Sequence, residues 1–294
     1  MIVGVPREIK ADESRVALVR SGVAAFVAHG HKVLIESGAG VNSGIPDAEY
    51  RAAGATIVKK ASSVWEQAEM IVKVKEPLGP ELKQMREGQI VYTYLHLASN
   101  EDLTKKLLAR GVTGIGYETV ELDDGTLPLL VPMSEVAGRL AVQKGAHCLE
   151  AIDKGRGPLL GGGSGVKPCE VVILGAGIAG SNACRVAVGM GANVSILDVN
   201  PLKLRYVYDT NNGRVTTIMS NRANVEEEVA RADLVICTVL VAGAKTPQLI
   251  SKKLVKRMQP GAGIVDIAID QGGCSETSRP TPHHDPMYVV DDVV

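Results

Sequence analysis

Aromatic side chains are scarce: phenylalanine, tryptophan and tyrosine together make up 3% of the chain, with one Phe and one Trp. So few rings argue against base-stacking platforms for single-stranded nucleic acid. Excess charge is also missing. Thirty-two basic residues face 33 acidic ones, for a net charge of −1. That balance supplies no field to draw a phosphate backbone, so no nucleic-acid partner is expected. Apolar runs fall short of the roughly 20 residues that span a bilayer, and no membrane partner is expected. The start, Met1-Ile2-Val3-Gly4-Val5-Pro6-Arg7-Glu8, reads as a short strand followed by charge rather than a signal peptide. A cytoplasmic location is the expectation. Cysteines number five, at 148, 169, 184, 237 and 274, none at zinc or redox spacing. They are expected as free thiols, with Cys184 and Cys237 small core residues and no metal site.

What is present is apolar and periodic. The 294 residues are 45% hydrophobic, enough for two domains with cores. β-Branched runs at 3–5, 32–36, 70–74, 89–92 and 112–116 predict strands, and 21–28, 46–53, 80–86 and 101–110 predict the helices between them. The turn formers at 123–128 predict the end of a first domain over 1–128. Residues 134 to about 152 read as one long helix, with Ser134 as its N-cap, joining it to a second domain over 129–294. Further strands are predicted at 216–219, 234–239, 263–268 and 288–290, with helices at 224–231 and 251–258, for about six strands in the second domain. The expected class is α/β: two doubly wound domains, one of them a Rossmann NAD-binding domain.

The strongest local signal is Val171-Val172-Ile173-Leu174-Gly175-Ala176-Gly177-Ile178-Ala179-Gly180, an apolar run leading into Gly-x-Gly-x-x-Gly. Gly175 allows a tight turn, Gly177 lets the backbone approach a pyrophosphate, and Gly180 lets the helix pack on the strand. The free N–H groups at the helix start attract phosphate. Roughly twenty residues further on, Asp198 ends the next apolar run, where a carboxylate accepts from an adenosine ribose and repels a 2′-phosphate. NAD is therefore expected, although Lys203 nearby would tolerate a phosphate. The glycine cluster at 161–165 has no Gly-Lys-Ser/Thr ending and reads as a flexible turn.

Four polar residues stand beside apolar runs, where strand ends meet a ligand crevice. Lys75 is either a solvated strand-end lysine or a cation for a carboxylate or carbonyl; alternation places it on one face with Lys73. His96 is either a packed histidine or a general acid–base. Asp270, between an apolar run and two glycines, is a turn former or a proton-handling carboxylate. Arg15 sits in a charged stretch that is a solvated loop or a guanidinium fork for a carboxylate.

Several stretches together resemble the bacterial L-alanine dehydrogenase family: Gly-Val-Pro-Arg-Glu-Ile-Lys from Gly4, Lys-Val-Lys-Glu-Pro-Leu from Lys73, and Tyr-Leu-His-Leu-Ala from Tyr94. Pro-Met-Ser-Glu-Val-Ala-Gly-Arg from Pro132 and Asp-Ile-Ala-Ile-Asp-Gln-Gly-Gly from Asp266 complete the set. The resemblance covers essentially the whole chain. The related transhydrogenase α subunit shares the Pro-Arg-Glu start but not usually the Tyr-Leu-His-Leu-Ala stretch or the Asp-Gln-Gly-Gly ending, and ranks second. The resemblance implies NAD-dependent, reversible oxidative deamination of L-alanine to pyruvate and ammonia. It implies Arg15 and Lys75 as substrate ligands and His96 and Asp270 as the catalytic pair. It also implies cofactor contacts at Ser134, Ile178, Ala179, Asp198, Lys203, Ser220, Val239, Leu240, Ile267, Asp270 and Arg279, beside the three glycines. A homohexamer is the implied assembly. The family pattern continues past Val294 with an Asn-Met-Pro-Gly loop and helices returning to the first domain. A short product with incomplete cofactor cover, binding NAD without turnover, is therefore the alternative expectation.

Overall fold

The computed structural model describes residues 1–241, 244–282 and 284–294. It divides into two compact units, Met1–Leu129 and Leu130–Val294.

The first unit alternates strands and helices: β1 (Ile2–Val5), α1 (Arg20–Ala28), β2 (Lys32–Glu36), α2 (Asp47–Ala52), β3 (Thr56–Val58), α3 (Ala61–Gln67), β4 (Met70–Val72), α4 (Gly79–Gln84), β5 (Ile90–Thr93), α5 (Glu101–Arg110) and β6 (Thr113–Gly116). The strands form one parallel sheet in the order β3-β2-β1-β4-β5-β6. The chain winds outward from β1 on one side and then from β4 on the other. The loops after β1 and β4 therefore diverge at a topological switch point, where such sheets bind ligands. α5 shows why its sequence is helical. The Asn100 side chain accepts from Leu103 N–H at 3.0 Å, Glu101 and Asp102 occupy the first turn, and Gly111 closes the helix at φ 62°. Leu103 and Leu107, four apart, are its buried face.

In the second unit, α6 (Val131–Cys148) precedes β7 (Glu170–Leu174), α7 (Ile178–Gly189), β8 (Asn193–Asp198), α8 (Pro201–Thr210), β9 (Thr216–Met219), α9 (Arg222–Arg231), β10 (Leu234–Cys237), α10 (Lys252–Val255) and β11 (Gly263–Asp266). The parallel order is β11-β10-β7-β8-β9, with the switch point between β7 and β10. Alternate strand residues feed opposite cores: Val171, Ile173, Ile196 and Ile236 lie in one, and Val172, Leu174, Leu197 and Val235 in the other. Both faces of the sheet are covered, as an all-parallel sheet requires.

Several expectations change. The helix expected over 134–152 begins at Val131 and ends at Cys148, followed by a separate 3-10 turn, Ala151–Asp153. Pro132 sits in its first turn, so Ser134 lies inside the helix and is not its N-cap; its N–H bonds to Leu130 O at 2.9 Å. β4 stops at Val72, which leaves Lys73 to Lys75 in a bend, where strand alternation no longer assigns a face. The strand expected at 288–290 is only an isolated bridge between Val290 and Val293, so this sheet has five strands among the described residues, not six. β3, α3 and α8 had no counterpart in the sequence reading. α10 covers half of its expected span because Pro260 and Gly261 follow closely. The glycines at 161–165 form a turn closed by a Gly163–Val166 bridge. All five cysteines are free and buried.

Candidate active site

In the first unit the loop after β1 carries Glu8, Glu13 and Arg15, and the bend after β4 carries Lys73 and Lys75. Lys73 is fully buried, its Nζ 3.1 Å from Glu8 and 2.7 Å from Glu81. The other oxygen of Glu8 accepts Val74 N–H at 2.7 Å. Thr93 Oγ1 donates to Lys75 O at 2.9 Å. The main chain of Lys75 is thus pinned on both sides while its side chain stays half-buried.

Arg15 and Glu13 pair two-fold. Arg15 Nε lies 2.8 Å from Glu13 Oε1, and a terminal guanidinium nitrogen lies 2.6 Å from Oε2. Burial pushes the Glu13 carboxyl up, but hydrogen bonds and charge from Arg15, with a further pull from Lys75, more than reverse this and hold it below its ordinary range. The hydrogen bond to Glu13 raises Arg15 in turn. Two cations therefore act on one carboxylate. A cavity of about 450 Å³ opens here, lined by Arg7, Glu8, Lys10, Glu13, Arg15 and Asn42.

His96 follows β5. It has φ 47° and ψ 41°, and its ring stacks on Tyr94 with centroids 5.9 Å apart and planes 9° apart. Its N–H donates to Glu118 Oε1 at 2.7 Å, and its Nδ1 is enclosed without a hydrogen-bond partner among the described residues. Tyr94 donates its hydroxyl to Leu129 O at 2.7 Å, and burial pushes its pKa up, so it stays neutral.

In the second unit Gly175, Asp198, Ser220, Val239, Leu240 and Ile267 lie at the carboxyl ends of the strands, and Ser134, Lys203 and Arg279 do not. Gly175, at φ 103°, turns the chain off β7. A Cβ on Gly180 would drive into Gly175 O, so only glycine lets α7 approach the strand so closely. A Cβ on Gly177 would meet nothing within 4 Å, and Gly177 provides no side-chain cap to α7. The space beside the first turn and the uncapped N–H groups fit a pyrophosphate. Asp198 ends β8; its carboxylate accepts Ala176 N–H at 2.7 Å and Asn200 N–H at 2.8 Å, and Ser220 N–H bonds to its carbonyl at 2.9 Å. Lys203 lies on α8, exposed. Val239 and Leu240 follow β10, and Ile267 follows β11 with its N–H bonded to Cys237 O at 3.2 Å. A glycine in α6, Gly138, packs against Ala179 O, which places Ser134 one turn away from the start of α7. Asp270 lies exposed in the 3-10 turn Ile269–Gln271. Arg279 stacks its guanidinium 4.2 Å from the Tyr288 ring centroid.

The sequence reading missed several side chains that shape these places. Glu8, Lys73 and Glu81 form a buried ionic cluster. Thr238 donates its hydroxyl to Leu174 O and Gly175 O, both at 2.9 Å, and so staples the glycine turn to β10. Asp266 accepts Ala268 N–H at 3.1 Å and Cys274 N–H at 2.7 Å, which ties down the loop carrying Asp270. Glu13 and Glu118 carried no signal in one sequence beyond their charge.

A doubly wound unit with a glycine turn open enough for a pyrophosphate, and another whose strand-end loops carry Arg15, Lys75 and His96, fit a dinucleotide-dependent oxidoreductase. Known proteins narrow the class. The N-terminal domain of the alanine dehydrogenase/PNT family matches residues 4–137, and its C-terminal domain matches residues 141–294. The alanine dehydrogenase of Methanococcus maripaludis is 56% identical over 289 residues, 98% of this chain and 78% of that protein. A solved L-alanine dehydrogenase superposes with a TM-score of 0.89 at 50% identity, over all of this chain and 81% of that one. A transhydrogenase from Sinorhizobium meliloti gives 0.79 at 28% identity, over all of this chain and 85% of that one. The chain belongs to the alanine dehydrogenase/PNT family, on its alanine dehydrogenase side.

Proposed function

We propose that the protein catalyses the oxidative deamination of L-alanine to pyruvate and ammonia, and the reverse amination, with NAD. The observation that carries the reading is the two-fold pairing of the Arg15 guanidinium with a single carboxylate, that of Glu13, at 2.8 and 2.6 Å. A site built to fix one carboxylate suits an amino acid or 2-oxo acid. The much higher identity to alanine dehydrogenases than to the transhydrogenase supports this reading over hydride exchange between two cofactors.

Arg15 forks onto the substrate carboxylate, and Lys75 adds a point charge beside the carboxylate and carbonyl oxygen. His96 is the acid–base. With Nδ1 enclosed, Nε2 is the nitrogen that exchanges a proton with the substrate nitrogen and oxygen. Asp270 assists the attacking water. Gly175, Gly177, Ile178, Ala179 and Gly180 cradle the pyrophosphate, and Asp198 holds the adenosine ribose, with Lys203 and Ser220 nearby. Ser134, Val239, Leu240, Ile267, Asp270 and Arg279 complete the dinucleotide contacts. When bound, the nicotinamide supplies a hydride acceptor. Fixed charge and orientation in the substrate pocket supply most of the rate.

A cytoplasmic setting fits this chemistry, and among the described residues no helix is long and apolar enough to cross a membrane. Purified protein with NAD and L-alanine is expected to form NADH, read at 340 nm. His96→Ala is expected to lower kcat by about 100-fold or more while NAD binding holds, the signature of a lost acid–base. Equal losses in both would make His96 structural, and inactivity of the folded wild-type protein would overturn the assignment.

A further inference from the structure

Glu118 occupies the 3-10 turn Tyr117–Thr119 after β6, and it is 5% exposed. A carboxylate so placed has lost its water, which is costly unless strong hydrogen bonds replace it. Those bonds come from main-chain amides of the neighbouring loop. Leu95 N–H lies 3.2 Å from Oε1 and 3.3 Å from Oε2, and His96 N–H lies 2.7 Å from Oε1. β5 and β6 are adjacent and in register, with Thr93 opposite Gly116. The carboxylate after β6 thus reaches across to the chain leaving β5.

A bond to a backbone amide governs backbone conformation. His96 is held in the left-handed region, a conformational cost for a residue with a side chain. The short charge-assisted bond to Glu118 offsets that cost, and it is lost if the peptide turns. His96 also starts the 3-10 turn that follows, its carbonyl accepting Ser99 N–H at 3.2 Å. In a catalytic triad a carboxylate orients the imidazole through Nδ1–H. Here Nδ1 is enclosed and has no hydrogen-bond partner among the described residues. The ring's direction is set instead by its own backbone and by the stack on Tyr94.

We propose that Glu118 is the positioning residue of His96, orienting the imidazole through the main chain rather than through the ring. The inference rests on His96 being the acid–base of the proposed reaction. Its test is L-alanine oxidation by the full chain carrying Glu118→Ala, Glu118→Asp, His96→Ala and the Glu118→Ala/His96→Ala pair, with NADH binding followed by fluorescence. Glu118→Ala is expected to lower kcat about 100-fold, because misplacing a reacting group by about 1 Å has that effect. KM for L-alanine should change less than about threefold and NADH binding should hold, since neither needs the imidazole. Glu118→Asp keeps the charge but draws the oxygens back by one methylene, and should lose about tenfold; it serves where the alanine variant does not fold. In the His96→Ala background, Glu118→Ala should change the residual rate less than about twofold, because its effect runs through the missing ring. A wild-type kcat in Glu118→Asp and Glu118→Ala, or a full additive loss in the double variant, would overturn the inference. Full activity in His96→Ala alone would remove its premise, and with it the acid–base assignment.

Discussion

Lys73 and Lys75 stand two positions apart and have opposite roles. Lys73 is fully buried between Glu8 and Glu81, and Lys75 is half-buried and acts through its charge on Glu13. Burial pushes the Glu81 carboxyl up, and Lys73 is the chief influence pulling it back. Lys73→Met would leave two buried carboxylates with no cation, an arrangement that costs about 3–5 kcal/mol. Glu81, whose carboxyl burial already pushes up, would then lie further above its unfolded value. The deficit would be full above the folded value and would shrink as pH falls toward the unfolded value near 4.3. Denaturant midpoints of wild type and variant should therefore differ most at pH 7 and least near pH 4. Asp198 holds two jobs at once, bonding the main chain at Ala176 and Asn200 and, as proposed, repelling a 2′-phosphate. Asp198→Asn keeps an acceptor for the loop but removes the charge. Its ratio of NAD to NADP efficiency should fall by about 10-fold, equivalent to 1.4 kcal/mol, and an unchanged ratio would take Asp198 away from the ribose.

β7, its glycine turn and α7 act as one element, because α7 approaches the strand closely enough to exclude a methyl group at Gly180. Gly180→Ala should destabilise the second unit by about 1–3 kcal/mol through overpacking and should weaken NAD binding while leaving the fold of the first unit intact. Calorimetric unfolding with a parallel NAD titration checks both. This element was plain in the sequence because its signals are local: an apolar run, glycines at fixed spacing and an acid at the next strand end. Other elements were not. Three-residue β3 is too short for a period to show, and α8 mixes charged and aromatic residues on an exposed face. Ser134 read as an N-cap because serine is a preferred capping residue at the start of a helical stretch. Pro132, two residues earlier, had already begun the helix in the position where a missing N–H has no cost.

Across the whole molecule, large apolar side chains remain exposed, among them Val136 and Leu140 at i and i+4 on α6, Ile152 and Leu159. Subunit contacts cover apolar side chains such as the Val136–Leu140 pair. We propose a homohexamer, and sedimentation should give a mass near six times the 31.0 kDa of one chain. A monomer at micromolar concentration would remove that assembly. The alternation of strands and helices, apart from β3, α3, α8 and the strand expected at 288–290, the parallel class and the glycine turn were legible in the sequence alone, because their signals are largely local. Which charges are buried, and which touch, was decided only by tertiary structure. Glu8 meets Lys73 across 65 positions, and Glu118 meets His96 across 22. Both contacts exist because parallel strands lay distant loops side by side at one sheet edge. A single chain read in order cannot show which of its many charged residues the sheet will bring to that edge, so only the folded structure separates buried partners from solvated ones.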